Sequence, residues 1–495
     1  MTHPTVADVF DATAARTPQR LAVREARDWS YADLRGWSGR ISDALAPQCR
    51  VPGERVGLMM PNAAAYVAAF YAIARVGGVV APLNVRYRSQ ELLYYLGDTQ
   101  AAAIIVPPSL RPTVEESVAT LAAPPAILVV DDAGGCELVR PGAGTRRPAE
   151  GGGDSPPLLH QYTSGSTGAP KRVIRTHAHL LFELERLASL FALDADDRFL
   201  GAAPFTHVNG LVRTMMTSMY VGGTLHPVRE FKRREVLDLV TRDRLTYFGA
   251  VPSLFVILAD TPVRGDVDLA SLRTVFSASA PLLPADNRRF REKYGHWIRQ
   301  LYGSTETGTI SVNRATGADL ETSLASVGHP LPDVRFDVVD DAGHPLPAGT
   351  EGEVRIASPG AITAYDGNAE ASASAFREGW YWSGDLGRLG PDGALTLTGR
   401  KKLLINRGGF KVNPLEVEEA IGSHAKVREV AVVGAPSPHG DDLVRAVIVA
   451  HEPCTAEEIV SHCAARIADY KIPSRIEFRD ALPKSETGKL LRQKL

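Results

Sequence analysis

The first third of the chain alternates short apolar runs with segments of helical periodicity, and this alternation constrains the fold more than any other feature. Residues 56–60, 78–82 and 102–106 are apolar runs typical of buried strands. Between them, residues 63–75 and 90–96 show the apolar spacing of helices that face a core. Strands that alternate with helices form a parallel sheet whose two faces are covered. We therefore predict an α/β fold.

Other segments extend this pattern and divide the chain. Residues 30–45 predict a helix with Ser30 as its N-cap. Residues 133–157 are rich in Gly, Pro and Arg and predict a surface connection, after which a second αβ series covers residues 180–301. The last third predicts short antiparallel strands and then a smaller α+β unit: strands at 334–340, 352–356 and 394–397, a helix at 414–421, strands at 427–434 and 443–450, and a helix at 455–467.

Charge and composition exclude several classes of protein. The 55 Lys and Arg balance 57 Asp and Glu, so the chain lacks the basic excess of nucleic-acid-binding proteins. Residues 63–83, the most apolar stretch, contain Arg75 and a Gly77-Gly78 pair, which argues against a membrane span. The four cysteines include no C-x-x-C pair, and the first residues lack a basic leader. These features predict a cytoplasmic protein.

Residues 162–171, with the sequence YTSGSTGAPK, form the most informative local motif. Its glycines let the backbone approach a ligand closely, its hydroxyls can donate to phosphate oxygens, and Lys171 adds a positive charge. The motif is not a Walker A loop, because Ala169 and Pro170 separate the second glycine from the lysine. On composition alone a flexible Ser/Gly turn is the commoner interpretation, so a phosphate-binding role depends on the rest of the chain.

Five further motifs follow in order and decide between these interpretations. They are residues 204–210 (PFTHVNG), 302–308 (YGSTETG), 382–385 (WSGD), 399–409 (GRKKLLINRGG) and 483–489 (PKSETGK). In this order they resemble the signature motifs of the adenylate-forming superfamily, which comprises acyl-CoA synthetases, nonribosomal peptide adenylation domains and luciferases. The resemblance covers nearly the whole chain. It implies an acyl-CoA ligase that activates a carboxylic acid with ATP as an acyl-AMP and then transfers the acyl group to coenzyme A.

The resemblance also implies roles in the first half-reaction. Lys489 would bridge the acid carboxylate and the α-phosphate, and Thr305 would contact the same phosphate. Glu306 would hold Mg²⁺, a cation that prefers oxygen ligands. Tyr302 would stack on adenine, and Asp385 would accept hydrogen bonds from the ribose hydroxyls. The residues implied to bind the nucleotide are Thr163, Ser164, Gly165, Ser166, Thr167, Gly168, Lys171, Tyr302, Gly303, Asp385 and Arg400.

For the second half-reaction the resemblance implies a domain movement. A large N-terminal domain of two αβ subdomains and a small β-barrel (residues 1–400) would be followed by a mobile α+β domain (residues 401–495), with the hinge at Lys402. Rotation about the hinge would withdraw Lys489 and bring Gly408 and Gly409 to a tunnel for the CoA pantetheine arm. His207 would open or block the acyl pocket.

The expected acyl pocket is built mostly from small and apolar residues. They are His207, Val208, Phe248, Gly249, Ala250, Ser279, Ala280, Gly303 and Ile310. Such a lining favours an aromatic, alicyclic or other apolar acid over a charged one. Relatives that activate amino acids carry an Asp in the histidine motif, whereas this chain has Phe205-Thr206-His207, so an amino-acid substrate is not expected.

Departures from the family pattern leave alternatives open. Arg172 stands where the family usually has Gly, and its side chain either points to solvent or weakens adenylation. In the second case the enzyme would thioesterify an acyl-adenylate made by a partner enzyme. Leu403 replaces a common acidic residue beside the hinge, and Thr206 and Ser279 alter segments that line the acyl pocket.

Other members of the superfamily suggest further alternatives. The acceptor is either free CoA or an acyl carrier protein. No motif favours a luciferase-type oxygenase. A regulator that only bound a nucleotide would not need Lys489.

Overall fold

The computed structural model describes residues 4–143, 146, 148–149, 155–163, 170–263, 266–407, 410–436, 442–485, 488 and 490–495. The strands of its first half are β1 Leu21–Arg24, β2 Asp28–Ser30, β3 Arg55–Leu58, β4 Val79–Pro82, β5 Ala103–Val106, β6 Ala126–Val130, β7 Cys136–Arg140, β8 Pro157–Thr163, β9 Lys171–Thr176, β10 Arg198–Gly201, β11 Thr224–Pro227 and β12 Tyr247–Ala250. The strands that follow are β13 Thr274–Ser277, β14 Arg299–Ser304, β15 Gly308–Val312, β16 Ser326–Pro330, β17 Arg335–Val339, β18 Gly352–Ala357, β19 Phe376–Arg377, β20 Trp380–Leu389, β21 Leu395–Arg400, β22 Ile405–Arg407, β23 Phe410–Val412, β24 Val427–Pro436, β25 Asp442–Ala450 and β26 Arg475–Phe478.

Helices connect these strands. They are α1 Val6–Arg16, α2 Tyr31–Leu45, α3 Ala64–Arg75, α4 Ser89–Thr99, α5 Arg111–Val118, α6 His177–Leu190, α7 Val208–Gly210, α8 Thr217–Val221, α9 Arg233–Asp243, α10 Pro252–Asp260, α11 Pro284–Tyr294, α12 Gly317–Thr322, α13 Ala369–Ala375, α14 Pro414–Gly422 and α15 Ala456–Ala464. A π-helix, Leu211–Met216, joins α7 to α8. In the described part of the chain, no helix is long and apolar enough to cross a membrane.

Two large sheets organise the N-terminal part. In the described residues, β3 to β9 form a seven-stranded sheet in the order β7-β6-β5-β3-β4-β8-β9, parallel in its centre. Strands β10 to β14 are parallel neighbours in a second sheet, which continues through β15 and β16 into antiparallel strands β21, β20, β18 and β17. The predicted α/β fold is confirmed, and the predicted antiparallel strands after residue 327 are present.

Local signals in the sequence explain several elements. Ser30 caps α2 as predicted: its hydroxyl accepts from the Asp33 amide at 3.1 Å, and the Asp33 carboxylate accepts from the Ser30 amide at 3.0 Å. Helix α3 is buried along nearly its whole length, in agreement with its apolar sequence. It belongs to a core cluster that also contains residues from strands of both large sheets.

One predicted connection contains a strand. The composition of residues 133–157 predicts a surface connection, but β7 lies within them and pairs antiparallel with β6. Strand β7 is at the edge of its sheet, and Glu137 and Leu138 are exposed. An edge strand has one neighbour and buries little, so its sequence need not carry the apolar pattern of a central strand.

The C-terminal part is a smaller α+β unit, as predicted. Strands β24, β25 and β26 form one sheet, and α14 and α15 pack on it around Val417, Ile421 and Ile459. A hairpin of β22 and β23 precedes them. Helix α15 ends at Ala464, three residues before the predicted end.

Candidate active site

The predicted phosphate loop joins two paired strands. Thr163, the last residue of β8, lies opposite Lys171, the first residue of β9. This register brings the two ends of the loop together at one edge of the seven-stranded sheet. The loop residues Ser164, Gly165, Ser166, Thr167 and Gly168 lie outside the described residues.

Lys171 lies beside the predicted magnesium-binding carboxylate. Its Nζ is 4.3 Å from the centre of the Tyr365 ring, and the Tyr365 hydroxyl donates to Glu306 Oε1 at 3.0 Å. Burial lowers the pKa of Lys171 and the charge of Lys402 lowers it further, whereas Glu306 raises it. One acidic and two basic side chains from three distant motifs thus meet at one place. Tyr365, which connects them, was missed by the sequence analysis.

A second cluster surrounds Asp385. The Tyr302 hydroxyl donates to Asp385 Oδ2 and Arg400 Nε donates to Asp385 Oδ1, each at 2.6 Å. The pairing of β20 with β21 sets Asp385 directly opposite Arg400. Desolvation, followed by the charge of Asp385, raises the pKa of Tyr302 and keeps its hydroxyl protonated as a donor.

The two clusters belong to one site. Tyr381 interacts with Tyr365, Glu306 and Tyr302, and the three tyrosines belong to one buried cluster. The charge of Arg400 also acts on Tyr365. Thr305 lies in the turn between β14 and β15, next to Glu306. The predicted residues Lys171, Glu306, Tyr302, Asp385 and Arg400 are therefore neighbours in space, although they are scattered along the sequence.

The donor set of this site fits Mg²⁺ that arrives with a nucleotide. In the described ranges, no group of three or more His, Cys, Asp or Glu side chains could enclose a metal by itself. Glu306 supplies one carboxylate, 7% exposed, beside the cation Lys171. Magnesium commonly binds through one or two carboxylates together with substrate phosphates and water.

Arg172 does not point freely to solvent. Its Nε donates to the Asp366 carbonyl at 3.1 Å, and its Nη1 is 3.4 Å from Asp98 Oδ1. Asp366 is also paired with Arg55 at 3.0 Å. The side chain is 27% exposed. It therefore connects β9 to α4 and to the segment that carries Tyr365.

A cavity of about 270 Å³ opens at the carboxyl ends of the parallel strands β10, β11, β12 and β13. The histidine motif forms one wall, including His207 and Asn209, and Val251, Leu254 and Ser279 form another. Ser279 has φ 76°, the left-handed region that favours glycine.

The cavity includes only part of the predicted acyl pocket. Phe248 and Ala250 pack in a core with Phe255, while Val208 and Ile310 are buried in other cores. The Phe276 ring occupies the position that a Cβ on Gly249 would take, at 2.2 Å. Ala280 is exposed at the end of the segment that carries Ser279.

A buried charged network lies behind the histidine motif. Arg175 Nη1 donates to Glu183 Oε2 at 2.7 Å, and Arg213 Nε lies 3.6 Å from Glu183 Oε1. Arg213 Nε donates to Thr309 Oγ1 at 2.8 Å. A Cβ on Gly303 would lie 2.8 Å from Arg213 Nη2, so Gly303 borders the guanidinium. The sequence analysis missed Arg213. Its position as a single cation in the mostly apolar run 211–216 (LVRTMM) could have indicated a buried charge.

The predicted hinge lies in a short turn between the two parts of the chain. Lys402 is in a single 3-10 turn, Lys401–Leu403, between β21 and β22. Lys401 anchors this turn by donating to Asp341 at 2.7 Å and to Glu353 at 2.9 Å. The predicted tunnel residues Gly408 and Gly409 and the predicted catalytic Lys489 lie outside the described residues.

Comparison with known proteins agrees with this site. A model of the AMP-binding enzyme family matches residues 10–366, and a model of the AMP-binding enzyme C-terminal domain matches residues 416–489. The chain therefore belongs to the AMP-binding enzymes, the adenylate-forming superfamily. Within it, the chain is an AMP-forming acyl-CoA synthetase, an acid–thiol ligase.

Individual relatives cover almost the entire chain. A feruloyl-CoA synthase from Amycolatopsis sp is 32% identical, over 97% of this chain and 96% of the relative. An indoleacetate–CoA ligase from Aromatoleum aromaticum is also 32% identical, over 97% and 95%. The structure of o-succinylbenzoate CoA synthetase from Bacillus subtilis, in complex with its acyl-adenylate intermediate, matches with a TM-score of 0.84 and 27% identity, over 100% of this chain and 98% of that one.

Proposed function

We propose that this enzyme converts a non-amino organic acid with an apolar body into its CoA thioester in two steps at one site. The observation that carries the proposal is the meeting of Lys171, Glu306, Asp385 and Arg400 around Tyr365 and Tyr302. These side chains can hold a nucleotide at both ends, with cations toward the phosphates and a carboxylate toward the ribose.

In the first step the acid oxygen bonds to the α-phosphorus of ATP while the bond to the β-phosphate oxygen breaks, and pyrophosphate leaves. Negative charge grows on the phosphate oxygens, so fixed cations stabilise the transition state. Lys171 and Lys489 are the proposed cations, and Thr305 the proposed donor to the α-phosphate. Glu306 would hold Mg²⁺, which neutralises phosphate charge when bound.

In the second step the CoA sulfur bonds to the acyl carbon, its proton is released, and AMP leaves with the electrons of the carbon–oxygen bond. We propose that the domain after residue 400 rotates about Lys402 between the steps. The location of Lys402 in a short turn between β21 and β22 supports this division. Gly408 and Gly409 would then line the path of the pantetheine arm, and His207, at the cavity wall, would gate the acyl pocket.

The cavity at His207 supports the proposed substrate class. Its walls include Val251, Leu254 and Phe231, which fit an apolar body. The relatives named for feruloyl-CoA and indoleacetate–CoA formation carry names of aromatic acids. No acidic residue lies in Phe205-Thr206-His207 to pair with a substrate ammonium.

The alternative of weak adenylation rested on Arg172 crowding the nucleotide site. The hydrogen bonds of Arg172 to Asp366 and Asp98 favour the ordinary two-step ligase, because they hold its guanidinium against protein groups. A partner adenylating enzyme is then not required.

A mass-spectrometric screen tests the proposal. Free acids with ATP, and their synthetic adenylates without ATP, are offered together with CoA or with the phosphopantetheine arm of a carrier protein. We expect thioesters of CoA from both sources. The Lys489→Ala variant should lose the reaction from free acids but keep that from adenylates. Thioesters formed only on the carrier would identify a carrier-loading ligase, and a folded enzyme that used no adenylate would contradict the proposal.

A further inference from the structure

Tyr365 lies between the cation and the carboxylate of the nucleotide site. Lys171 Nζ is 4.3 Å from the centre of the Tyr365 ring, and the Tyr365 hydroxyl donates to Glu306 Oε1 at 3.0 Å. Tyr365 is 5% exposed and Glu306 is 7% exposed. Glu306 acts on Lys171 through its charge and not through a hydrogen bond. The two charged side chains, both of them described, therefore contact the same aromatic residue and not each other.

The position of the Tyr365 ring is fixed by contacts of its own segment. The Tyr365 amide donates to Ser372 Oγ at 2.9 Å. The ring meets Phe376 edge to face, with centroids 5.3 Å apart and planes at 63°. The amide of the next residue, Asp366, donates to the Arg172 carbonyl at 3.0 Å. Because this last contact uses the backbone of β9, it ties Tyr365 to the strand that begins with Lys171 whatever side chain stands at position 172.

A tyrosine at this position solves an electrostatic problem of the site. A lysine and a glutamate that approach each other in a partly buried site form an ion pair, and each then neutralises the other. An aromatic face attracts an ammonium group without carrying a formal negative charge. A hydroxyl that donates to one carboxylate oxygen leaves the second oxygen for a metal ion. The charges of Lys171 and Glu306 thus both remain available to a ligand.

We infer that Tyr365 is a positioning residue for adenylation, which holds Lys171 and Glu306 apart and orients each of them toward a magnesium nucleotide. The inference rests on the proposed function, and it adds to it a residue outside the six sequence motifs. The ring serves Lys171 and the hydroxyl serves Glu306, so the two roles can be separated by substitution. Removal of a group that orients a metal ligand typically weakens metal binding by about 10- to 100-fold.

Nucleotide binding tests the role of the hydroxyl. The probe is α,β-methylene-ATP, which cannot release pyrophosphate, and calorimetry measures its binding with EDTA and with increasing MgCl₂. Tyr365→Phe keeps the ring and removes the hydroxyl. We expect its affinity for the probe in EDTA to stay within about twofold of wild type, since the ring contact with Lys171 persists. The MgCl₂ concentration that gives half of the metal-dependent gain in affinity should rise by roughly 10- to 100-fold.

Pyrophosphate release gives a second readout for the same variant. At saturating MgCl₂ the rate of Tyr365→Phe should return to within about threefold of wild type, because the metal then binds despite the less ordered carboxylate. A substitution that damaged the site in general would not be rescued by the metal. Tyr31→Phe is the matched control. It removes another buried tyrosine hydroxyl, which donates to the Gly223 carbonyl at 2.8 Å, and should keep the wild-type response to MgCl₂.

Tyr365→Leu tests the role of the ring. Without the ring, Lys171 and Glu306 can pair directly, so the affinity for the probe in EDTA should fall by roughly 10-fold. Saturating MgCl₂ should not restore pyrophosphate release. If the leucine variant does not fold, the phenylalanine variant decides the inference by itself.

The outcomes separate this inference from the proposed function. An active wild-type enzyme whose Tyr365→Phe variant keeps the wild-type response to MgCl₂, or is folded but not rescued by it, would overturn the positioning role and leave the ligase assignment intact. A wild-type enzyme that neither binds the probe nor releases pyrophosphate with any acid would overturn the nucleotide site itself. The screen of free acids and adenylates detects that failure without any variant of Tyr365.

Discussion

The Tyr302 hydroxyl donates a 2.6 Å hydrogen bond to Asp385 Oδ2, although the two residues are 83 positions apart. Arg400 holds the other carboxylate oxygen at 2.6 Å. A carboxylate has about four acceptor positions, so Asp385 can accept ribose hydroxyls while both contacts persist. The protein side of the proposed ribose site is thus oriented by two side chains from two other motifs.

We expect Asp385→Asn to weaken the use of ATP. An amide has one acceptor oxygen, and its NH₂ group would face either the Arg400 guanidinium, which only donates, or the Tyr302 hydroxyl, which would then have to accept the hydrogen bond that it now donates. Loss of a charge-assisted hydrogen bond predicts a roughly 10- to 100-fold fall in kcat/KM for ATP. Tyr302→Phe keeps the ring and the Asp385–Arg400 pair, so its effect should be smaller. Equal effects of the two variants in steady-state kinetics would contradict this division.

Lys171→Met should act on adenylation rather than on folding. The methionine keeps a long apolar stem against the Tyr365 ring and removes the charge proposed to face the phosphates. Loss of one preorganised cation predicts a 10²- to 10³-fold slower pyrophosphate release, on the order seen for such groups. Lys232→Met, which removes an exposed lysine paired with Glu235 at 3.1 Å, is the control. A comparable loss in both variants would show that Lys171 has no special position.

Arg172→Gly restores the residue usual in the family, and it tests whether Arg172 limits adenylation. We expect pyrophosphate release to change by no more than about twofold, since the guanidinium is bound to Asp366 and Asp98. Stability should fall by about 1–2 kcal/mol, because these contacts are lost and glycine weakens a strand. Denaturant unfolding measures the second effect. Markedly faster pyrophosphate release would favour the weak-adenylation alternative.

Local patterns predicted the elements, and ordered motifs predicted the site. The Ser30 cap depends on Asp33, three positions away, so it could be read from adjacent residues. The motifs of Glu306 and Asp385 each have a distinctive spacing, and the resemblance supplied their proximity. The fold class and the enzyme class followed from these two sources.

What could not be predicted depends on contacts between distant residues. The direction of Arg172 is set by Asp98 and Asp366, which are 74 and 194 positions away. The partners of the Arg213 guanidinium are Glu183 and Thr309, from α6 and β15. That the Asn209 amide and Arg213 Nη2 lack a hydrogen-bond partner among the described residues cannot be read from the sequence either.

Buried His160 makes stability depend on pH with a definite sign. Burial, with the charges of Arg55 and Arg172, lowers the pKa of His160 from 6.5 to about 3, and its Nδ1 accepts from Arg55 Nε at 3.0 Å. Below about pH 6.5, His160 therefore binds a proton in the unfolded chain but not in the folded one. The stability of the folded state falls as the pH drops from 6.5 toward 3. One such proton changes the free energy of unfolding by about 1.4 kcal/mol per pH unit. His160→Asn, whose amide oxygen can replace Nδ1 as acceptor, should reduce the slope by this amount in denaturant unfolding between pH 6.5 and 4.5. The control is His344→Asn, at a side chain that is 79% exposed, and it should leave the pH dependence of stability nearly unchanged. If His160→Asn also left this pH dependence unaltered, His160 would take up its proton in the folded state, and the prediction would be wrong.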